Sequence, residues 1–115
     1  MPKRQPGELE ASVLECLWDR PDGLSSQQIL AMLGDDSLAI TTVLTVLTRL
    51  SNKKLVEKLS YTGRNLLFRA VTSREEHAAQ LLLSAMKNSN SGLVFKQFAA
   101  GLTSDQLTSL RRELN

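Results

Sequence analysis

Apolar residues first recur at helical spacing over residues 8 to 19, where Leu9, Val13, Cys16 and Leu17 share one face and Glu8, Glu10, Glu15 and Asp19 fall elsewhere. Pro21-Asp22-Gly23 breaks that helix. Ser25, followed three positions later by Gln28, makes a capping box for a second helix carrying Ile29, Leu30 and Leu33, which Gly34 terminates. Asp35-Asp36-Ser37 then turns the chain into a third helix.

That third helix, over residues 38–53, is the most informative segment. On a wheel of about 100° per residue, Ala39, Ile40, Val43, Leu44, Val46, Leu47 and Leu50 fall within an arc of roughly 160°. Thr41, Thr42, Thr45, Thr48, Arg49, Asn52 and Lys53 fill the other side. Threonine loses rotamer freedom in a helix and ranks well below alanine there, so four threonines on an exposed face need a reason other than stability. After the helix, Leu55 to Leu59 and Leu66 to Val71 are short apolar runs around Ser60-Tyr61-Thr62-Gly63-Arg64-Asn65, the pattern of a β-hairpin with a polar tip.

Helices resume beyond it. Ser73 and Glu76 open one that carries Ala78, Leu81, Leu82, Ala85 and Met86, and Asn88 to Gly92 is a break. A short segment with Leu93, Val94, Phe95 and Phe98 reaches Gly101, after which Thr103 and Gln106 cap a last helix with Leu107, Leu110 and Leu114. The fold class expected is mainly α with a small β-hairpin. In this order of elements, residues 1–72 form a winged helix-turn-helix, followed over residues 73–115 by a C-terminal helical region, to which the family resemblance given below adds the role of dimerisation.

Charge sharpens the picture. The net formal charge is only +2, but residues 49 to 71 hold Arg49, Lys53, Lys54, Lys58, Arg64 and Arg69 against Glu57 alone. Basic charge concentrated in one stretch suits local contact with a polyanion. An α-helix fits the major groove of DNA, where threonine offers base edges either a hydroxyl or a methyl, and arginine offers a two-pronged donor. Arg64 at the wing tip, with Lys53, Lys54 and Lys58 beside the third helix, would meet flanking phosphates or the minor groove.

Other classes fit less well. Cys16 is the single cysteine, and no thiol or histidine cluster offers a metal site. No stretch of about 18 apolar residues offers a membrane span, and no signal peptide is visible, so a cytoplasmic protein is expected. Enzymatic chemistry lacks a partnered nucleophile and a glycine-rich phosphate loop; no cofactor is expected. With aromatics at 4% in 115 residues, a small core of Leu, Val and Ala suggests that part of the stability comes from dimerisation. The competing reading is a winged-helix module that docks protein, but such a face would be richer in aromatics and poorer in threonine and lysine.

Several runs resemble the penicillinase repressor family, also called BlaI/MecI/CopY. They are Gly7-Glu8-Leu9-Glu10, Val13-Leu14, Leu17-Trp18, the stretch Thr41-Thr42-Val43-Leu44-Thr45-Val46-Leu47-Thr48-Arg49-Leu50, and Gly63-Arg64. The resemblance implies a homodimeric bacterial repressor that binds a palindromic operator in double-stranded DNA through recognition helix 38–53 and wing 55–71. It further implies control of β-lactam or stress-response genes, with Thr41, Thr42, Thr45 and Arg49 on the DNA face. Departures are informative. Lys53-Lys54 stands where the family usually shows Lys-Gly, which puts a left-handed turn at position 54 in question. Ile40 replaces a frequent aromatic. No cysteine follows Cys16, which removes the thiolates that copper-responsive members carry. In β-lactam-responsive members a membrane sensor protease cuts an Asn-Phe bond; the similar place here is Gln97-Phe98.

Overall fold

The computed structural model describes residues 7–59 and 66–115. They form α1 (Glu8–Asp19), α2 (Ser26–Leu33), α3 (Ile40–Asn52), β1 (Val56–Leu59), β2 (Leu67–Ala70), α4 (Arg74–Ala85), α5 (Ser91–Gly101) and α6 (Ser104–Leu114). The chain divides into two compact units, Met1–His77 and Ala78–Asn115.

In the first unit the local signals act as expected. Ser25 accepts from the Gln28 amide at 3.2 Å while the Gln28 side chain accepts from the Ser25 amide at 2.8 Å, closing the capping box of α2. Gly34 ends that helix at φ 61°, the left-handed position that glycine adopts without a Cβ penalty. Asp35 then accepts from the Ser37 amide at 2.9 Å, tightening the turn into α3. Val13, Leu17, Ile29, Val43, Leu47 and Leu50 are the most deeply buried side chains, so α1, α2 and α3 share one core. Cys16 belongs to it, and burial, helped by nearby Asp19, pushes its thiol up in pKa, which keeps it unreactive.

The strands pair antiparallel, with Val56 opposite Ala70 and Leu59 opposite Leu67. Leu24 adds a bridge on the free side of β2, exchanging backbone bonds with Phe68 at 2.9 and 2.8 Å. Gly23 at φ 102° makes this approach possible, because a Cβ there would meet the Phe68 carbonyl oxygen at 3.2 Å. Trp18 ties the far end of the hairpin back to α1. Its Nε1 donates to the Thr72 carbonyl at 2.8 Å, the Arg74 guanidinium lies 5.4 Å from the ring centre, and His77 packs its own ring 5.5 Å away. Arg74 also pairs with Glu15 at 2.6 Å.

In the second unit, Thr103 and Gln106 close the capping box of α6, and Asn90 caps α5 by accepting from the Leu93 amide at 3.1 Å. That cap corrects the reading of residues 88–92 as a break followed by a short segment. Ser91 and Gly92 already lie in α5, an 11-residue helix. None of α4, α5 and α6 contains a buried residue. Leu82, Leu83, Met86, Phe95, Phe98 and Leu110 line an apolar cleft of about 670 Å³ within this unit.

One departure resolves against the sequence expectation. Lys54 adopts φ 63°, so the left-handed turn between α3 and β1 is made without glycine. The turn is held by the Leu55 amide donating to the Leu50 carbonyl at 2.9 Å and the Lys54 amide to the Ser51 carbonyl at 3.0 Å. A side chain in this region costs about 1–2 kcal/mol, and glycine returns part of that gain through unfolded-state entropy. Lys54→Gly is therefore expected to raise stability by about 0.5–1 kcal/mol, read as a higher urea midpoint at unchanged slope.

Candidate nucleic-acid interface

The core fixes which side of α3 faces outward. Val43, Leu47 and Leu50 are fully buried, and a helix anchored on that stripe must turn Thr41, Thr42, Thr45, Thr48, Arg49 and Asn52 to the surface, where all six are exposed. Two residues of the apolar arc are exposed, Ala39 at the cap position and Leu44. Leu44 stands at the arc's edge and remains 41% exposed, and it joins the threonine face.

Two of the threonine hydroxyls are engaged. Thr45 Oγ1 donates to the Thr41 carbonyl and Thr48 Oγ1 to the Leu44 carbonyl, each at 2.9 Å. At the start of the helix, Ala39 offers no side-chain cap. The first amides of α3 are thus left for solvent or an anion, and the helix dipole favours the anion.

The basic stretch divides into two groups. Lys53 Nζ is 2.8 Å from Glu10 of α1, and Arg69 pairs across the hairpin with Glu57, its register partner. Among the described residues no acid pairs with Arg49, Lys54 or Lys58, which are exposed. Lys54 occupies the left-handed turn after α3, and Lys58 stands on β1 opposite Phe68. Arg64, with the rest of the hairpin tip, lies outside the described residues.

The chemistry of other functions is sparse. Among the described residues no group of three or more His, Cys, Asp or Glu can hold a metal ion, and no helix is long and apolar enough to cross a membrane. In the second unit Leu81, Leu82, Leu93, Phe95, Phe98 and Leu114 are exposed, while Met86, Leu107 and Leu110 are half-buried. Ala78 and Ala85 are exposed as well, and so is Gln97, within α5. Leu83, 65% exposed, was missed by the sequence reading, which took the helix face from spacing alone.

With that helix face, core and hairpin in place, the penicillinase repressor family matches residues 6–115 of this chain. The chain belongs to the penicillinase repressor family. The transcriptional regulator BlaI of Mycobacterium tuberculosis is 33% identical over 113 residues, covering 94% of this chain and 81% of the relative. Among solved structures, the MarR regulator of E. coli superposes with a TM-score of 0.51 at 18% identity, covering 93% of this chain and 74% of that one. The PcaV transcriptional regulator of Streptomyces coelicolor gives a TM-score of 0.50 at 22% identity, with 93% and 70% covered. These two likenesses bear on the fold, a winged helix. Membership in the family makes this protein a bacterial transcriptional repressor and not an enzyme.

The Lys53–Glu10 pair is exposed, and such pairs contribute about 0.2–1 kcal/mol. Glu10→Gln is expected to leave stability within that range while tightening binding to non-specific duplex DNA a few-fold, since it frees Lys53 and removes a negative charge from its side. Fluorescence anisotropy at low salt measures it; weaker binding would show that Glu10 positions Lys53 usefully.

Proposed function

We propose that this repressor binds a palindromic operator as a homodimer, α3 entering the major groove and the β1–β2 wing lying along flanking DNA. The observation that carries the reading is the outward threonine face of α3, exposed from Thr41 to Asn52 beside Arg49, Lys54 and Lys58. Thr41 and Thr42 at the open helix start, Thr45, Thr48, Arg49 and Asn52 along it, and Lys53, Lys54 and Lys58 around it make up the DNA surface, to which Arg64, outside the described residues, is added from the sequence. Residues 1–72 are the reading domain.

Residues 73–115 supply the dimer contact. Supporting this, the second unit leaves most of its large apolar side chains in water. Burial of Leu81, Leu82, Leu93, Phe95 and Leu114 against a second copy would contribute roughly 25 cal/mol for each Å² removed. A dimer of two-fold symmetry then presents two reading heads to half-sites about 10 base pairs apart, or a multiple of that. The protein acts in the cytoplasm, where its DNA is. A membrane sensor protease cutting at Gln97-Phe98 would inactivate it. The bond lies inside α5, so local unfolding must precede the cut.

The test is selection of bound duplexes from a random library, followed by titration of the recovered sequence against salt. Enrichment of an inverted repeat is expected, with log affinity falling at about −0.9 per phosphate contacted. Failure to bind duplex DNA at low salt would leave a protein-docking module. Arg49→Ala is expected to cost about 1–3 kcal/mol on the selected duplex and to relax preference at one base pair per half-site. Equal weakening on every sequence would place Arg49 on phosphate instead.

A further inference from the structure

Resting on that reading of α3, we propose that the helix recognises the C5-methyl groups of thymines, through an apolar strip made by the methyls of Thr45 and Thr48 with the side chain of Leu44. A threonine hydroxyl has one hydrogen to give and two lone pairs to accept with. In both Thr45 and Thr48 that hydrogen is turned back onto the helix, to the carbonyls of Thr41 and Leu44 at 2.9 Å. Neither residue can then donate to guanine N7 or O6, or to thymine O4, without giving up a bond it already holds. The oxygen can still accept from adenine N6 or cytosine N4, but toward thymine, which offers O4 and a methyl in the major groove, the γ-methyl is the contacting group.

Leu44 extends the same surface. Thr48 lies four positions after Leu44 and three after Thr45, so its side chain neighbours both and joins them into one strip on the helix. A leucine 41% exposed on this face is not accounted for by the core, whose contacts on α3 come from Val43, Val46, Leu47 and Leu50. In the major groove thymine alone among the four bases carries a methyl. The strip therefore selects thymine, while Arg49, four positions after Thr45, serves the polar contact on the same side.

The experiment uses the full chain and the duplex recovered by selection, synthesised with each thymine in turn replaced by deoxyuridine, which lacks only the methyl. Thymines facing α3 are expected to lose about fourfold in affinity per methyl removed, the equivalent of about 0.8 kcal/mol for one buried carbon. Thymines elsewhere should be indifferent. Two variants separate methyl from hydroxyl without touching the core, their folding checked by circular dichroism. Thr45→Val keeps the methyl and should retain the preference for thymine over uracil. Thr45→Ser keeps the hydroxyl and should lose that preference at the facing position. Indifference of the wild-type protein to every uracil, or a preference kept by Thr45→Ser and lost by Thr45→Val, overturns the inference while leaving the operator reading intact. Absence of any enriched sequence overturns both.

Discussion

The burial of one stripe of α3 governs everything else in the reading unit. Val43, Leu47 and Leu50 have no exposure, and no rotation of the helix keeps them dry while hiding the threonines. A shift of one residue would move every apolar contact by about 100° around the axis and expose several side chains whose burial is worth about 1.5–3 kcal/mol each. The direction of the outer face is therefore enforced by the core. This matters for recognition, because a helix that reads base edges must present its side chains in a fixed orientation before DNA arrives.

The wing depends on the same core through the backbone. β1 starts after a left-handed residue, and β2 is held on its free side by Leu24 at the entrance to α2. The hairpin is thus pinned from two directions, by the end of α3 and by the segment that begins α2. A two-stranded hairpin alone is marginal in water; here Val56 and Phe68 sink into the helical core, which is what makes so short a sheet persist. At its far end Trp18 accounts for the exit of the chain, satisfying the Thr72 carbonyl and stacking with Arg74.

Legibility in the sequence followed the range of the interactions. Capping boxes at Ser25, Ser73 and Thr103 act within one turn, and the spacing of Leu9, Val13 and Leu17 reports one helix face, so helix positions could be read directly. The threonine face of α3 was readable for the same reason. What local patterns could not supply were pairings between distant segments. Glu10 reaching Lys53, Trp18 reaching Thr72 and Glu15 reaching Arg74 span 43, 54 and 59 positions. Nor could spacing tell that Leu44, at the rim of the apolar arc, stays in water. Position 54 was misjudged because the propensity of lysine argues against φ 63°, whereas the backbone bonds on either side of it demand that conformation.

Those distant pairings also decide how charge can act. Counted along the chain, residues 49–71 hold a dense block of cations, yet Lys53 and Arg69 are already matched by Glu10 and Glu57. Within that block, the unpaired charge of the described residues gathers on Arg49, Lys54 and Lys58, at the outer end of α3 and the root of the wing. A phosphate contact from these positions supplies affinity without sequence information. Selectivity must then come from the side chains between them. With the hydroxyl hydrogens of Thr45 and Thr48 held by their own helix, that stretch of α3 offers shape and methyl groups more readily than donors, and a sequence with thymine in register is the one it fits.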